Sequence, residues 1–167
     1  MSATSADDDG HTGSPPDVAN LGLLRPPLIY LASIVVGLFL HWVLPIGLAP
    51  RVLGRLVGAA TLLGAGALFI AAVRTFRTAG TPIPGNQPTT TVVRHGPYRF
   101  SRNPIYLAFS LLQMGIALWV SSLWVVATLA GAVALMTVVV IPREERYLEA
   151  RFPSEYLPYR ASVRRWV

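Results

Sequence analysis

Positions 94 to 106 read Arg-His-Gly-Pro-Tyr-Arg-Phe-Ser-Arg-Asn-Pro-Ile-Tyr, and a second polar cluster, Arg143-Glu144-Glu145-Arg146, follows the next apolar stretch. The first segment is suited to anions. Arg94, Arg99 and Arg102 surround an expected helix start at Pro104, where free N–H groups and the positive end of the helix dipole add to their charge. Asn103 suits the N-cap and Pro104 the first turn. The second cluster supplies adjacent carboxylates. Brought together, the two can hold a zwitterion that carries a carboxylate beside an ammonium or sulfonium group. Each part also has a structural reading: Arg102 can simply pair with Glu144 or Glu145, and the dipole alone favours acidic residues near a helix start.

The elements that must position these residues are apolar. The chain has 167 residues, 53% hydrophobic and 13% charged, a length for one domain and a balance unlike that of a soluble one. No charged residue occurs at 28–49, 56–73 or 103–142. The last of these runs would extend about 60 Å as one helix, twice the ~30 Å of a hydrocarbon core, so it must cross twice. The chain therefore reads as four spans, at about 27–48, 52–73, 104–120 and 123–141, with Ser121-Ser122 as the reversal between the last two. The fold class expected is all-α, a polytopic membrane bundle of about four transmembrane helices with a cytoplasmic C-terminal helix. A hairpin of spans three and four brings Pro104 and Ile141 to one level, and with them the two polar clusters.

Several function classes drop out. The chain has no cysteine, which removes disulfides, thiol catalysis and Cys-ligated metals, and His11, His41 and His95 lack metal-ligand spacing, so no metal is expected. All fourteen basic residues are Arg and the net charge is +6. They flank the spans as the positive-inside rule requires, which argues for membrane lipids and against nucleic acid as the partner. No Gly-x-Gly-x-x-Gly turn is present, which excludes a Rossmann-type site. Positions 25, 74, 77, 94, 99, 102, 143, 146, 151, 160, 164 and 165 are Arg on one side of four spans, and only 51 and 55 are Arg on the other. Both termini and the 74–103 connection are therefore expected in the cytoplasm, with the bundle in the plasma or inner membrane.

Residues 1–20, rich in Ser, Thr, Asp, Gly and Pro, read as a disordered tail without the features of a cleaved signal. The membrane domain is 21–167. In span one, His41 beside Trp42 reads as interfacial anchoring. In span two, Gly54-x-x-x-Gly58 and Ala60-x-x-x-Gly64 are expected to pack against span one. The 74–101 connection, with Gly80-Thr-Pro-Ile-Pro-Gly85, reads as too broken for a helix. Pro142 is expected to kink span four. The 142–167 segment alternates Tyr156, Tyr159, Val163 and Trp166 with Arg160, Arg164 and Arg165, and is expected to lie along the interface.

The run Gly96-Pro-Tyr-Arg-Phe-Ser-Arg-Asn-Pro-Ile-Tyr106, followed by Glu144-Glu-Arg-Tyr-Leu148, Phe152 and Tyr156-x-x-Tyr159, resembles the isoprenylcysteine carboxyl methyltransferase family and its phospholipid methyltransferase relatives. The likeness covers about residues 80–167. It implies a small membrane bundle whose cytoplasmic end encloses S-adenosylmethionine. The implied cofactor residues are His95, Gly96, Tyr98, Arg102, Asn103, Tyr106, Glu144 and Glu145, with Arg165, Glu145 and Arg102 as the catalytic set and Arg165 beside the acceptor. The implied acceptor is lipophilic: a carboxylate such as an isoprenylcysteine-like group, or a lipid amine or thiol. A carboxylate needs no base and can be held by Arg165 or Arg102, whereas an amine or thiol would use Glu145 or Tyr98. Asn103 stands where eukaryotic members usually have His, and the chain ends at Val167 without the Pro often found after Arg-Trp. Two other readings are a membrane reductase of the sterol-reductase type and a non-enzymatic scaffold for anionic lipid. The first is weakened because Pro104-Ile-Tyr-Leu-Ala lacks a Gly-Glu pair.

Overall fold

The computed structural model describes residues 25–48, 50–80 and 89–167. The expected N-terminal tail at 1–20 and the Pro- and Gly-rich stretch at 81–88 lie outside these residues. The described residues form helices and no strand. Helix α1, Pro26–Val43, starts on two prolines whose missing N–H groups fall in the first turn, where no helical acceptor waits for them. Helix α2 is Arg51–Thr78. A 3-10 turn at Gly96–Arg99 leads into α3, Pro104–Val120. Ser121 adopts a left-handed conformation with φ 52°, and Ser122 caps α4, Leu123–Leu135, by accepting the Val125 N–H. A π segment at Met136–Val140 joins α4 to α5, Ile141–Arg151, and α6 follows at Pro153–Ser162.

Three helices are long and apolar enough to cross a membrane: Pro26–Val43, Arg51–Thr78 and the continuous Leu123–Arg151, while Pro104–Val120 is apolar but shorter at 17 residues. Helix α3 is the inner member. Its Pro104, Tyr106, Ala108, Gln113, Gly115 and Ala117 are buried. Helices α3 and α4 form the expected hairpin, α2 packs along α3, and α1 packs along α4. Gln113, fully buried, accepts from Ser33 of α1 and donates to the Val125 carbonyl and Thr128 of α4. Such internal pairing is what polar groups need where lipid offers none.

Three expectations about these elements are corrected. Gly58, of the first small-residue spacing of α2, faces α3 and not α1: a Cβ there would lie 2.8 Å from the Trp119 nitrogen and 2.9 Å from the Gly115 carbonyl, while Ala60 and Gly64 of the second spacing are exposed. The reason is the α1–α2 linker, which is tied across the hairpin tip by Leu48 N–H to Ser121 Oγ, Leu123 N–H to the Ile46 carbonyl and Trp124 Nε1 to the Leu44 carbonyl. It thereby sends α1 and α2 along different hairpin helices. Second, α2 continues past Val73 to Thr78, because Ala72 and Phe76 are buried in a cluster with Val93 and Tyr98. Third, the C-terminal segment does not begin at Pro142: a π segment lies just before the proline, and the helix of span four runs on through Arg151.

Candidate active site

At the open end of the hairpin lies a cavity of about 500 Å³, within the size range of small-molecule sites. Helix α3 gives it Asn103, Tyr106 and Phe109; α5 gives Glu144, Glu145 and Tyr147; α6 gives Tyr156 and Tyr159. Phe69 and Phe76 of α2 and the chain at Thr89 to Val93 close two further sides, and Arg25 to Leu28 form part of the mouth. Two of these walls are aromatic. Phe76 meets Tyr98 edge-on at 5.1 Å, and the Tyr159 hydroxyl donates to the Tyr98 carbonyl at 2.8 Å, fastening α6 under the 3-10 turn.

The adjacent carboxylates have opposite surroundings. Glu145 takes Arg102 Nη1 at 3.0 Å and a bidentate grip from Arg165, Nε at 3.0 Å and Nη2 at 2.6 Å, the strongest geometry available to such a pair. Glu144, also buried, accepts the Tyr106 hydroxyl, and among the described residues no arginine pairs with it. Arg102 further donates to the Tyr156 hydroxyl at 3.1 Å, yet its Nε is buried without a partner, as is Thr89 Oγ1. Buried polar atoms without partners are uncommon, and both of these belong to residues that line the cavity. Burial pushes the Tyr98 and Tyr159 phenols up from their ordinary range, for Tyr98 with help from Tyr159 and Glu144. Both stay protonated at neutral pH, and Tyr159 uses its proton in the bond to the Tyr98 carbonyl. The hydrogen bond to Glu145 holds Arg165 firmly in its cationic form.

Of the residues singled out in the sequence, Tyr98, Arg102, Asn103, Tyr106, Glu144 and Glu145 line the cavity. His95 and Gly96 are exposed outside it. Gly96 has φ +59°, and a Cβ there would meet Thr75 Oγ1 at 2.7 Å, so glycine lets the turn seat on α2. Arg165 stands behind Glu145 and is not part of the wall. Asn103 occupies the N-cap position of α3 but makes no side-chain cap; its Nδ2 donates to the Arg165 carbonyl at 3.0 Å instead. The tail does not simply lie on the interface. Tyr156 and Tyr159 are buried, and the Arg102 N–H donates to the Arg164 carbonyl at 3.0 Å. Sequence reasoning missed Thr89, Tyr147 and the inward turn of Tyr156 and Tyr159 as wall residues, although the three-residue spacing of the last two marks one helix face.

Among the described residues no group of three or more His, Cys, Asp or Glu could hold a metal ion. Sixty-nine residues are 42% identical to the cobalt-zinc-cadmium resistance protein CzcN of Cupriavidus metallidurans, 41% of this chain and 32% of that protein. The chain thus matches about a third of that relative's length. No solved structure matches the chain. The family model for phospholipid methyltransferases matches residues 53–155, which take in α2, the hairpin, the 94–106 segment and both glutamates. With more than half its length matched, this integral-membrane chain belongs to the phospholipid methyltransferase family.

Proposed function

We propose that the chain transfers the methyl group of S-adenosylmethionine to a lipophilic acceptor, with the cavity at the open end of the hairpin as the cofactor site. The observation that carries this is Glu144, a buried wall carboxylate with no cation beside it among the described residues. The cofactor is a zwitterion with an extra sulfonium charge, and the residues present fit it. Glu144 answers a positive group, Arg102 answers the carboxylate, and the faces of Tyr98, Tyr147, Tyr156 and Phe76 suit a sulfonium. Once bound, it supplies a methyl group already activated by the positive sulfur.

What remains for the protein is alignment and exclusion of water. The aromatic walls do the second. Glu145, clamped by Arg102 and Arg165, fixes the first by holding the 94–106 segment, α5 and the tail as one unit. An acceptor can approach past Leu28 and Phe69, cavity residues that are also exposed on the outer surface of the bundle. If the acceptor is a carboxylate it needs no base. For an amine or thiol, Glu145 is committed to two arginines and Tyr98 keeps its proton, which leaves Glu144 as the group able to take one. The membrane unit is taken as 21–167 with both termini in the cytoplasm, where the cofactor is made.

The test is isothermal titration of detergent-purified protein with S-adenosylhomocysteine, beside Glu144→Gln. Wild-type binding in the micromolar range, weakened about tenfold or more in the variant, is the expected result. No binding by folded wild type overturns the reading.

A further inference from the structure

The π segment between α4 and α5 leaves the Thr137 carbonyl without a helical donor. Ile141 N–H bonds back to the Met136 carbonyl, five residues away. In that register the Thr137 carbonyl would receive residue 142, and residue 142 is proline, which has no N–H. The C-terminal tail arrives at this gap. Arg165 Nη1 lies 3.5 Å from the Thr137 carbonyl, and Trp166 Nε1 donates to Thr137 Oγ1 at 3.2 Å.

The π segment also decides which residues of α5 face inward. Val125, Leu129, Ala132 and Met136 form the buried stripe of α4 and its continuation. Extended at 3.6 residues per turn, that stripe would reach about positions 143 and 146 to 147, placing Arg143 and Arg146 at the core. One additional residue in the turn rotates all of α5 by about 100°. The buried residues are accordingly Val140, Ile141, Glu144, Glu145 and Tyr147, while Arg143 and Arg146 are exposed.

We infer that Thr137, Arg165 and Trp166 are positioning residues: the C-terminal tail holds the π turn that directs Glu144, and not Arg143, at the cavity. Arg165 acts at both ends of this arrangement, on the Thr137 carbonyl and on Glu145. The orientation of α5 is argued from packing alone; its value for ligand binding rests on the cofactor reading above.

Because the chain has no cysteine, single cysteines report the orientation without a ligand. In the otherwise unchanged protein, Arg143→Cys should react with a maleimide about tenfold faster than Glu144→Cys, since thiol reactivity follows exposure. Adding Thr137→Val or Trp166→Phe should bring the two rates within about threefold, and Thr137→Ser, which keeps the hydroxyl, should preserve the original ratio. Arg146→Cys against Tyr147→Cys is a second pair if Glu144→Cys does not fold. A role in stability alone would lower the unfolding midpoint and leave the ratios as they were. Unchanged ratios in Thr137→Val and Trp166→Phe overturn the inference, and so does a ratio near one at the outset. In parallel, S-adenosylhomocysteine affinity should fall in Thr137→Val and not in Thr137→Ser. If the labelling ratios shift but the wild type binds no S-adenosylhomocysteine, the positioning stands and the cofactor reading fails.

Discussion

Glu144 and Glu145 are neighbours in sequence with different electrostatic circumstances, and substitution should separate them. Glu145 neutralises Arg102 and Arg165, whose side chains are 11% and 33% exposed. Glu145→Gln strands both guanidiniums, and we expect a loss of about 1–3 kcal/mol, below the 3–5 kcal/mol of fully buried pairs because Arg165 retains some water. Glu144→Gln removes a buried carboxylate that no cation pairs with among the described residues, and its amide oxygen can still accept from Tyr106. Its stability should equal or exceed that of the wild type even as cofactor affinity falls. Thermal unfolding in detergent checks both, and equal midpoints for the two variants would contradict the assignment. The sequence made both glutamates visible as a pair at the pocket. It did not distinguish them, because adjacent residues point about 100° apart on a helix and so meet different partners. For the same reason Arg165 could be singled out while its position behind Glu145 could not.

At the level of elements, the hairpin was legible because forty helical residues without a charge cannot fit one crossing. The partner of α2 was not: a small-residue spacing marks a face and leaves its neighbour open, and here the α1–α2 linker makes that choice through Ser121 and Ile46. The π segment was also hidden, since a proline after an apolar run says only that some helical bond must yield. The glycines of α2 offer a contrast within one helix. A Cβ at Gly58 would press on the α3 backbone, whereas at Gly64 and Gly66 it would meet nothing within 4 Å. Gly58→Ala must push two helices apart and should be destabilising by about 1–3 kcal/mol. Gly66→Ala, in open space, should be stabilising by about 0.5–1 kcal/mol through the helical preference of alanine. Unfolding midpoints in one detergent decide it, and a loss at Gly66 equal to that at Gly58 would show that α2 is packed differently.

For the whole molecule the question is how many times the chain crosses and which end is cytoplasmic. Helix α3, at 17 residues, rises only about 25 Å, at the lower limit for a span. Its ends nevertheless sit at the levels of the ends of α1. Its far end is tied to the α1–α2 linker by the Leu48 to Ser121 and Leu123 to Ile46 hydrogen bonds, and its near end meets α1 through Tyr30, whose hydroxyl reaches Ser110 at 2.8 Å and the Tyr106 carbonyl at 3.3 Å. If α1 crosses, α3 crosses with it, which makes four passes and returns the C-terminal segment to the side of α1's start. The arginine count then leads us to expect that side in the cytoplasm. Leu48, Leu123 and Ala150 are exposed, so single cysteines there can report on the arrangement in cells. A membrane-impermeant maleimide applied to intact cells should label Leu48→Cys and Leu123→Cys alike, and should reach Ala150→Cys only after permeabilisation. Labelling of Ala150→Cys from outside would invert the bundle and move the cavity away from the cytosol, and with it the source of the proposed cofactor. Labelling of Leu48→Cys without Leu123→Cys would remove α3 as a crossing helix and, since the linker that carries Leu48 is hydrogen-bonded to the hairpin tip that carries Leu123, would overturn the packing of α1 and α2 about that hairpin.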